Sequence, residues 1–220
     1  MGNPSITGTG HHSFVTVGDQ LYIIYHKHDD LSKNGKDRHH AIDEVKWIKN
    51  GDDLDVMYVN GPTSTYQPKI IGSQYSNIAG IAAVLGTDAS YLKDGLISVQ
   101  KNGNTTFTNL VKETEINKTT TFTFEFDSVK EVGAIMAYNS KNDSAFFKNV
   151  SRIELIGEND VYYIDDIAFD AANYADNKVT PASAAYAVFE SLQVKTIKIT
   201  VEVPKGQEKV GISEIKILGK

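Results

Sequence analysis

The sequence predicts an all-β protein, a four-stranded antiparallel blade-like meander followed by a β-sandwich of jelly-roll type. Three observations lead there. Short apolar runs with two-residue alternation recur between clusters of Gly, Asn and Asp that favour turns. The clearest run, 119–126, sets Phe122, Phe124 and Phe126 on one side and Thr121, Thr123 and Glu125 on the other. Helical signals are few: a helix could be argued over 43–50, but its alternation at two and the Asn50-Gly51 turn that follows favour a strand.

Taken in order, 13–17 reads as a strand closed by the tight-turn pair Gly18-Asp19. The next run, 20–26, sets Leu21, Ile23 and Tyr25 against Tyr22 and Ile24, apolar on both faces, and is expected at the centre of its sheet. A polar stretch over 27–37 reads as loop, 38–47 resumes alternation, Asn50-Gly51-Asp52-Asp53 turns the chain, and 54–59 closes the set. Four such strands with one apolar face and no second sheet cannot make a stable core alone, which is the situation of a single propeller blade. Gly61-Pro62-Thr63 and Gln67-Pro68 punctuate the exit, so the domain boundary is placed near Lys69, giving 1–68 and 69–220. Beyond it, strands are expected at 119–126, 132–138, 152–156, 184–191, 196–203 and 211–218, the pattern of a sandwich.

Bulk properties narrow the function classes. At 220 residues and 40% hydrophobic content the chain can bury a real core. A net charge of -6, from 28 acidic against 22 basic residues, disfavours a nucleic-acid partner, which calls for a basic surface. No apolar run approaches the roughly 20 residues of a membrane helix. The absence of cysteine excludes disulfides, thiolate metal sites and a cysteine nucleophile. Met1-Gly2-Asn3-Pro4 carries no signal-peptide pattern, so any export signal is expected to have been removed or to lie on a part of a longer parent.

Several short motifs stand in a telling order: Gly8-Thr9-Gly10-His11-His12-Ser13-Phe14, the strand over 22–28, Arg38-His39-His40-Ala41-Ile42-Asp43, Asn60-Gly61-Pro62-Thr63 and Gln67-Pro68. Together they resemble the fifth blade of family 43 glycoside hydrolases, five-bladed propellers acting on arabinofuranosyl and xylosyl linkages. The resemblance covers about the first third of the chain. It implies a parent that inverts with an acid glutamate, a base aspartate and a third, tuning aspartate on earlier blades. No catalytic residue is therefore assigned in this chain, and nothing in it supplies two carboxylates flanking a glycosidic bond. Further on, Tyr91-Leu92-Lys93-Asp94-Gly95 and Gly211-Ile212-Ser213-Glu214-Ile215-Lys216-Ile217 resemble the galactose-binding-like sandwich of the discoidin and coagulation-factor type C kind. Such domains bind sugars or brace the enzyme that carries them.

The resemblance points to His11 and Arg38 as substrate-binding residues. The histidine after Gly-x-Gly lies at the propeller axis near the sugar pocket in that family, and a neutral imidazole suits that place. Two readings stay open for it: a sugar or cation ligand, or a histidine satisfying backbone groups at a strand start, with His12 as the adjacent alternative pointing the other way. Arg38 could clamp a sugar hydroxyl or pair with Asp29, Asp30 or Asp37 on the surface. All six histidines (His11, His12, His26, His28, His39, His40) fall in the first segment; His26 and His28 share a face, but no third ligand completes a zinc set. In the sandwich, Asp94 and Glu214 match positions that help hold a structural calcium in the resembling domains; otherwise they are a turn aspartate and a solvent-facing glutamate.

A glycan platform needs an exposed aromatic ring, and Tyr138, Phe146, Phe147, Tyr162, Tyr163 and Tyr174 are candidates, each with a core reading beside it. Asp127 and Asp165-Asp166 read as strand ends in solvated loops rather than paired acids.

The expected function is thus that of a non-catalytic C-terminal part of a secreted or periplasmic family 43-like hydrolase. Its partners would be arabinan, arabinoxylan or xylan and the missing propeller blades, with no nucleic acid and no membrane. The rival expectation is a free-standing carbohydrate-binding module whose blade-like segment is a vestige.

Overall fold

The computed structural model describes residues 7–28, 38–63, 67, 74–85, 90–98, 114–117, 120–142, 145–168 and 183–220. The first unit is the expected meander: β1 (Thr7–Val17), β2 (Gln20–His28), β3 (His39–Ile48) and β4 (Val56–Val59) pair antiparallel in sequence order. β2 is central, as its doubly apolar run requires, and both its faces carry buried rings, Tyr22 and Tyr25. Gly18 opens the β1–β2 turn at φ 63, a left-handed conformation that glycine adopts without a Cβ clash. The expected boundary near Lys69 falls outside the described residues.

The second unit contains β5 (Ser76–Asn77), β6 (Ala83–Leu85), β7 (Thr114–Asn117), β8 (Thr121–Asn139), β9 (Asn149–Ile156), β10 (Val161–Ile167), β11 (Ala184–Glu202) and β12 (Lys209–Gly219). They run β10-β9-β11-β8-β12-β5, with β6 added to β8 and β7 to β12. Short 3-10 turns at Ala79–Ile81 and Ser90–Leu92 complete the described elements.

Here the expected strand count is corrected. Residues 121–126 and 132–138 belong to one 19-residue strand, β8, and 184–191 and 196–202 belong to β11, of equal length. The breaks in alternation that suggested separate strands are register slips between Val188 and Leu192 and between Val194 and Thr196. Such bulges bend a strand without ending it. The first half of β8 pairs with β6 and with 196–200 of β11; its second half pairs with β12. The sheet thereby folds over itself into the sandwich, and Phe122, Phe124 and Phe126 from one half of β8 meet Ile135, Ala137, Ile215 and Ile217 from the other layer in one core. Burying each of the Phe and Ile side chains among them contributes about 1.5–3 kcal/mol.

β12 is buried on both faces, which a sandwich alone does not explain. Ile212, Ile215 and Ile217 enter the core, while Glu214 and Lys216, on the other side, are also shut off from water. The meander covers them. Tyr22 and Glu44 are cross-strand partners, as are Lys46 and Tyr58, so this set lies on one face of the meander. That face lies on the sandwich: Lys216 Nζ donates to Glu44 Oε2 at 2.7 Å, and Tyr58 Oη donates to the Ile97 carbonyl at 2.7 Å. Tyr58 also packs against a small apolar cluster of Ile97, Met136, Tyr138 and Ala184. The opposite face of the meander leaves Phe14, Trp47 and Met57 exposed at 46%, 60% and 44%.

Candidate functional site

On that second face a cleft of about 210 Å³ opens between Thr9, Gly10, His12, Ile23, Tyr25, Val59, Gly61 and Pro62. Its position follows from local backbone chemistry. Between Gly10 and Ser13 the β1 ladder slips by a residue, and His11 takes a positive φ of 53. The bulge puts His12 on the cleft side, edge-on to Phe14 with ring centroids 5.5 Å apart. His12 therefore lines the cleft, and His11 is not among its lining residues.

Beneath the cleft lies Asp43, fully buried on β3. Its carboxylate accepts from Tyr25 Oη, from Thr63 Oγ1, from the Thr63 N–H at 3.3 Å and from Gln67 Nε2 at 3.1 Å. Burial raises its pKa to about 6, and these donors pull the other way without cancelling it. Gly61 closes over the group: a Cβ there would sit 2.1 Å from Asp43 Oδ2. Asp43 is thus a buried anchor that fixes the cleft wall through four donors, a group the alternation of 38–47 showed only as one polar position among several.

Arg38 is exposed just before β3. Together with partial burial, which acts first, its charge holds His26 below its ordinary pKa. Its suggested partners Asp29, Asp30 and Asp37 lie outside the described residues. His26 and His28 do share a face, with rings edge to face at 6.0 Å. Among the described residues no three His, Cys, Asp or Glu side chains converge on a metal position.

The two calcium candidates do come together. Glu214 on β12 is fully buried, and its Oε1 accepts from the Gly95 N–H at 3.1 Å; Asp94, next in the chain, accepts from Leu96 N–H at 2.9 Å. Gly95, at φ 82, makes this tight turn feasible. Glu214 is therefore buried rather than solvent-facing. Burial raises its carboxyl well above the ordinary range against the pull of Lys216, and burial raises Asp94 to about 6. Glu214 Oε2 is buried without a hydrogen-bond partner, and Lys216 donates instead to Glu44. Hard oxygens short of positive charge fit a calcium ion, with main-chain carbonyls as the complement that two carboxylates cannot supply.

The aromatic candidates separate by burial. Tyr138, Phe146 and Phe147 are core, and Tyr174 lies outside the described residues. Tyr162 and Tyr163 are exposed at 44% and 57% on β10, the edge strand. The Arg152 guanidinium stands 5.1 Å from the Tyr163 ring and is itself held by Asp165 through contacts of 2.6 and 3.2 Å. Asp165 and Asp166 belong to β10 rather than to a loop. A strand at 161–167 is not among those expected from the sequence; the Asn159-Asp160 pair ahead of a Val-Tyr-Tyr-Ile run is the signal that could have marked it.

No family model matches the sequence, and no curated protein matches it. Among solved structures, the chain is similar to the CBM32 of AlyQ in complex with 4,5-unsaturated mannuronic acid, at 16% identity and a TM-score of 0.42, over 66% of this chain and 97% of that one. It is similar to CpGH89CBM32-6 produced by Clostridium perfringens at 14% identity and a TM-score of 0.41, over 66% of this chain and 100% of that one. The F5/8 type C domain of a Bacteroides fragilis protein gives 12% identity and a TM-score of 0.44, over 66% of this chain and 97% of that one. These likenesses are remote, and the chemistry of the site rests on its own geometry.

Proposed function

We propose that this chain is the non-catalytic C-terminal part of a family 43-like glycoside hydrolase acting on arabinofuranosyl or xylosyl linkages, in which the meander is one propeller blade and the sandwich braces it and holds polysaccharide. One observation carries the reading: the meander is two-sided. It bonds one face to the sandwich through Lys216, Ile97 and the turn at Gly95, and it leaves Phe14, Trp47 and Met57 of the other face open. A vestigial appendage on a free-standing module would have no reason to keep a buried ion pair at its root, so that alternative is not favoured. An apolar sheet face of this kind suits a neighbouring blade.

In this reading the cleft, with His12 rather than His11 at its lip, forms one wall of the parent's active-site funnel, and Arg38 stands outside it. The polysaccharide platform of the sandwich is Tyr163, whose ring is oriented in advance by Arg152 and Asp165, which reduces the ordering cost of stacking a sugar. Asp94 and Glu214 hold a structural calcium that supplies the charge their turn lacks. A secreted or periplasmic setting fits such a substrate.

The test is calorimetry of the purified chain with arabinan, arabinoxylan and xylan, beside an assay on aryl arabinofuranosides and xylosides. Expected are polysaccharide binding, weakened about tenfold or more by Tyr163→Ala, and no hydrolysis. Turnover by the chain alone overturns the division of labour; silence with all three polymers removes the platform.

A further inference from the structure

Asn60, just after β4, is 1% exposed and reaches out of the meander into the sandwich. Its Nδ2 donates to the Gly95 carbonyl at 2.7 Å, its Oδ1 accepts from the Ile97 N–H at 2.9 Å, and its own N–H donates to the Glu44 carbonyl at 2.9 Å. Tyr58 adds a third bond to the same segment, at the Ile97 carbonyl. From the sandwich side, Glu214 Oε1 takes the Gly95 N–H. One short turn, 94–97, is therefore gripped on its outer side by the meander and on its inner side by the carboxylate of β12. Glu214 Oε2 faces no donor, and Lys216, a cation close enough to act on Glu214, is committed to Glu44 at 2.7 Å.

We infer that the turn 94–97 is a cation-dependent latch: a calcium ion held by Asp94 and Glu214 orders the turn that Asn60 and Tyr58 grip, so that cation binding and docking of the meander on the sandwich strengthen each other. The inference rests on the calcium reading proposed above and goes beyond it, because a purely local structural ion would leave the meander indifferent. Coupling of this kind is reciprocal: whatever factor the ion contributes to docking, docking contributes to the affinity for the ion. Glu44 extends the same chain of contacts, since Asn60 bonds its backbone while its carboxylate holds Lys216, two residues from Glu214.

The experiment uses the full chain with calcium chloride against EDTA. Titration calorimetry of the unsubstituted protein, Asn60→Ala, Tyr58→Phe and the exposed control Leu54→Ser reads calcium affinity directly; hydrogen exchange reads the meander. Calcium is expected to slow exchange of the Ile97 and Asn60 amides by about tenfold, and Asn60→Ala to weaken calcium binding by a similar factor, within the span usual for coupled sites. Tyr58→Phe, which loses one hydroxyl and keeps its packing, is expected to weaken it less, and Leu54→Ser not at all. Calcium binding of equal strength in Asn60→Ala, Tyr58→Phe and the unsubstituted chain, or unchanged exchange in the meander on loading, overturns the latch while leaving the calcium site in place. Absence of calcium binding by the unsubstituted chain overturns both.

Discussion

Replacing Lys216 by methionine tests the joint between the two units. The ammonium is 2% exposed and the Glu44 carboxylate 7%, with 2.7 Å between Nζ and Oε2. At that distance and an effective dielectric near 20 the attraction is about 6 kcal/mol, most of it offset by the desolvation of both ions. The gross figure does not set the effect of the mutation; what is left behind does. Lys216→Met strands Glu44 with Asn60 Nδ2 at 3.4 Å and Lys46 at 3.9 Å as its remaining partners. An uncompensated buried charge costs about 3–5 kcal/mol. For a chain of this size that lowers Tm by roughly 6–20 °C. The companion change Glu44→Leu removes the stranded charge, so the double variant is expected to recover most of the loss.

The pH dependence carries a second signature. Glu44 is held below its ordinary value by Lys216 and then Lys46 against the opposing effect of burial. Its contribution is therefore present above the usual carboxylate range and lost as pH falls through the lowered folded value. Urea unfolding of the two single variants and the double variant at neutral pH completes the cycle. Single losses below about 1 kcal/mol, or losses that merely add in the double variant, refute the argument that this pair joins the units.

Four further outcomes follow from the geometry. Asp43, raised from 3.8 to about 6, contributes stability that is fully present below 3.8 and lost as pH rises through about 6; Asp43→Asn is expected to flatten unfolding free energy against pH across that window. Gly211→Ala places a Cβ 2.1 Å from the Ala145 carbonyl oxygen, a backbone atom that cannot swing aside, and is expected to cost about 1–3 kcal/mol in urea melts. Phe124→Ala, in the sandwich core, is expected to cost about 3–5 kcal/mol by the same measurement. Trp47→Glu, on the open face of the meander, is expected to reduce self-association in sedimentation velocity while changing stability by no more than about 0.5 kcal/mol.

Much of the fold was legible along the chain because strand patterning is local. Phe122, Phe124 and Phe126 alternate with polar residues, and all three are buried; the double-sided apolar run of β2 is central. The union of two runs into β8, and of two more into β11, was hidden because a bulge breaks the alternation without breaking the strand. β5 and β6 are too short to show a period at all. The site divides in the same way. Asp94 and Glu214 were visible in their motifs, and they converge on Gly95. His11 was singled out by its place after Gly8-Thr9-Gly10, and a local pattern does not show the slipped register between Gly10 and Ser13 that brings His12 to the cleft. Asn60 was visible only as part of the Asn60-Gly61-Pro62-Thr63 motif, which gave no hint of its bonds to the 94–97 turn.

The all-β class, the existence of two β-rich segments, and which side of most strands is apolar all depend on residues two apart and on turn chemistry, and so could be read along the chain. Tertiary structure alone decided that the polar side of β12 is buried too, that Glu44 meets Lys216 across 172 positions of chain, and that Asn60 holds the Asp94 turn. The reason is physical: hydrophobic periodicity reports the face a strand would bury against a core, whereas the dielectric around a charge depends on what distant segment comes to cover it.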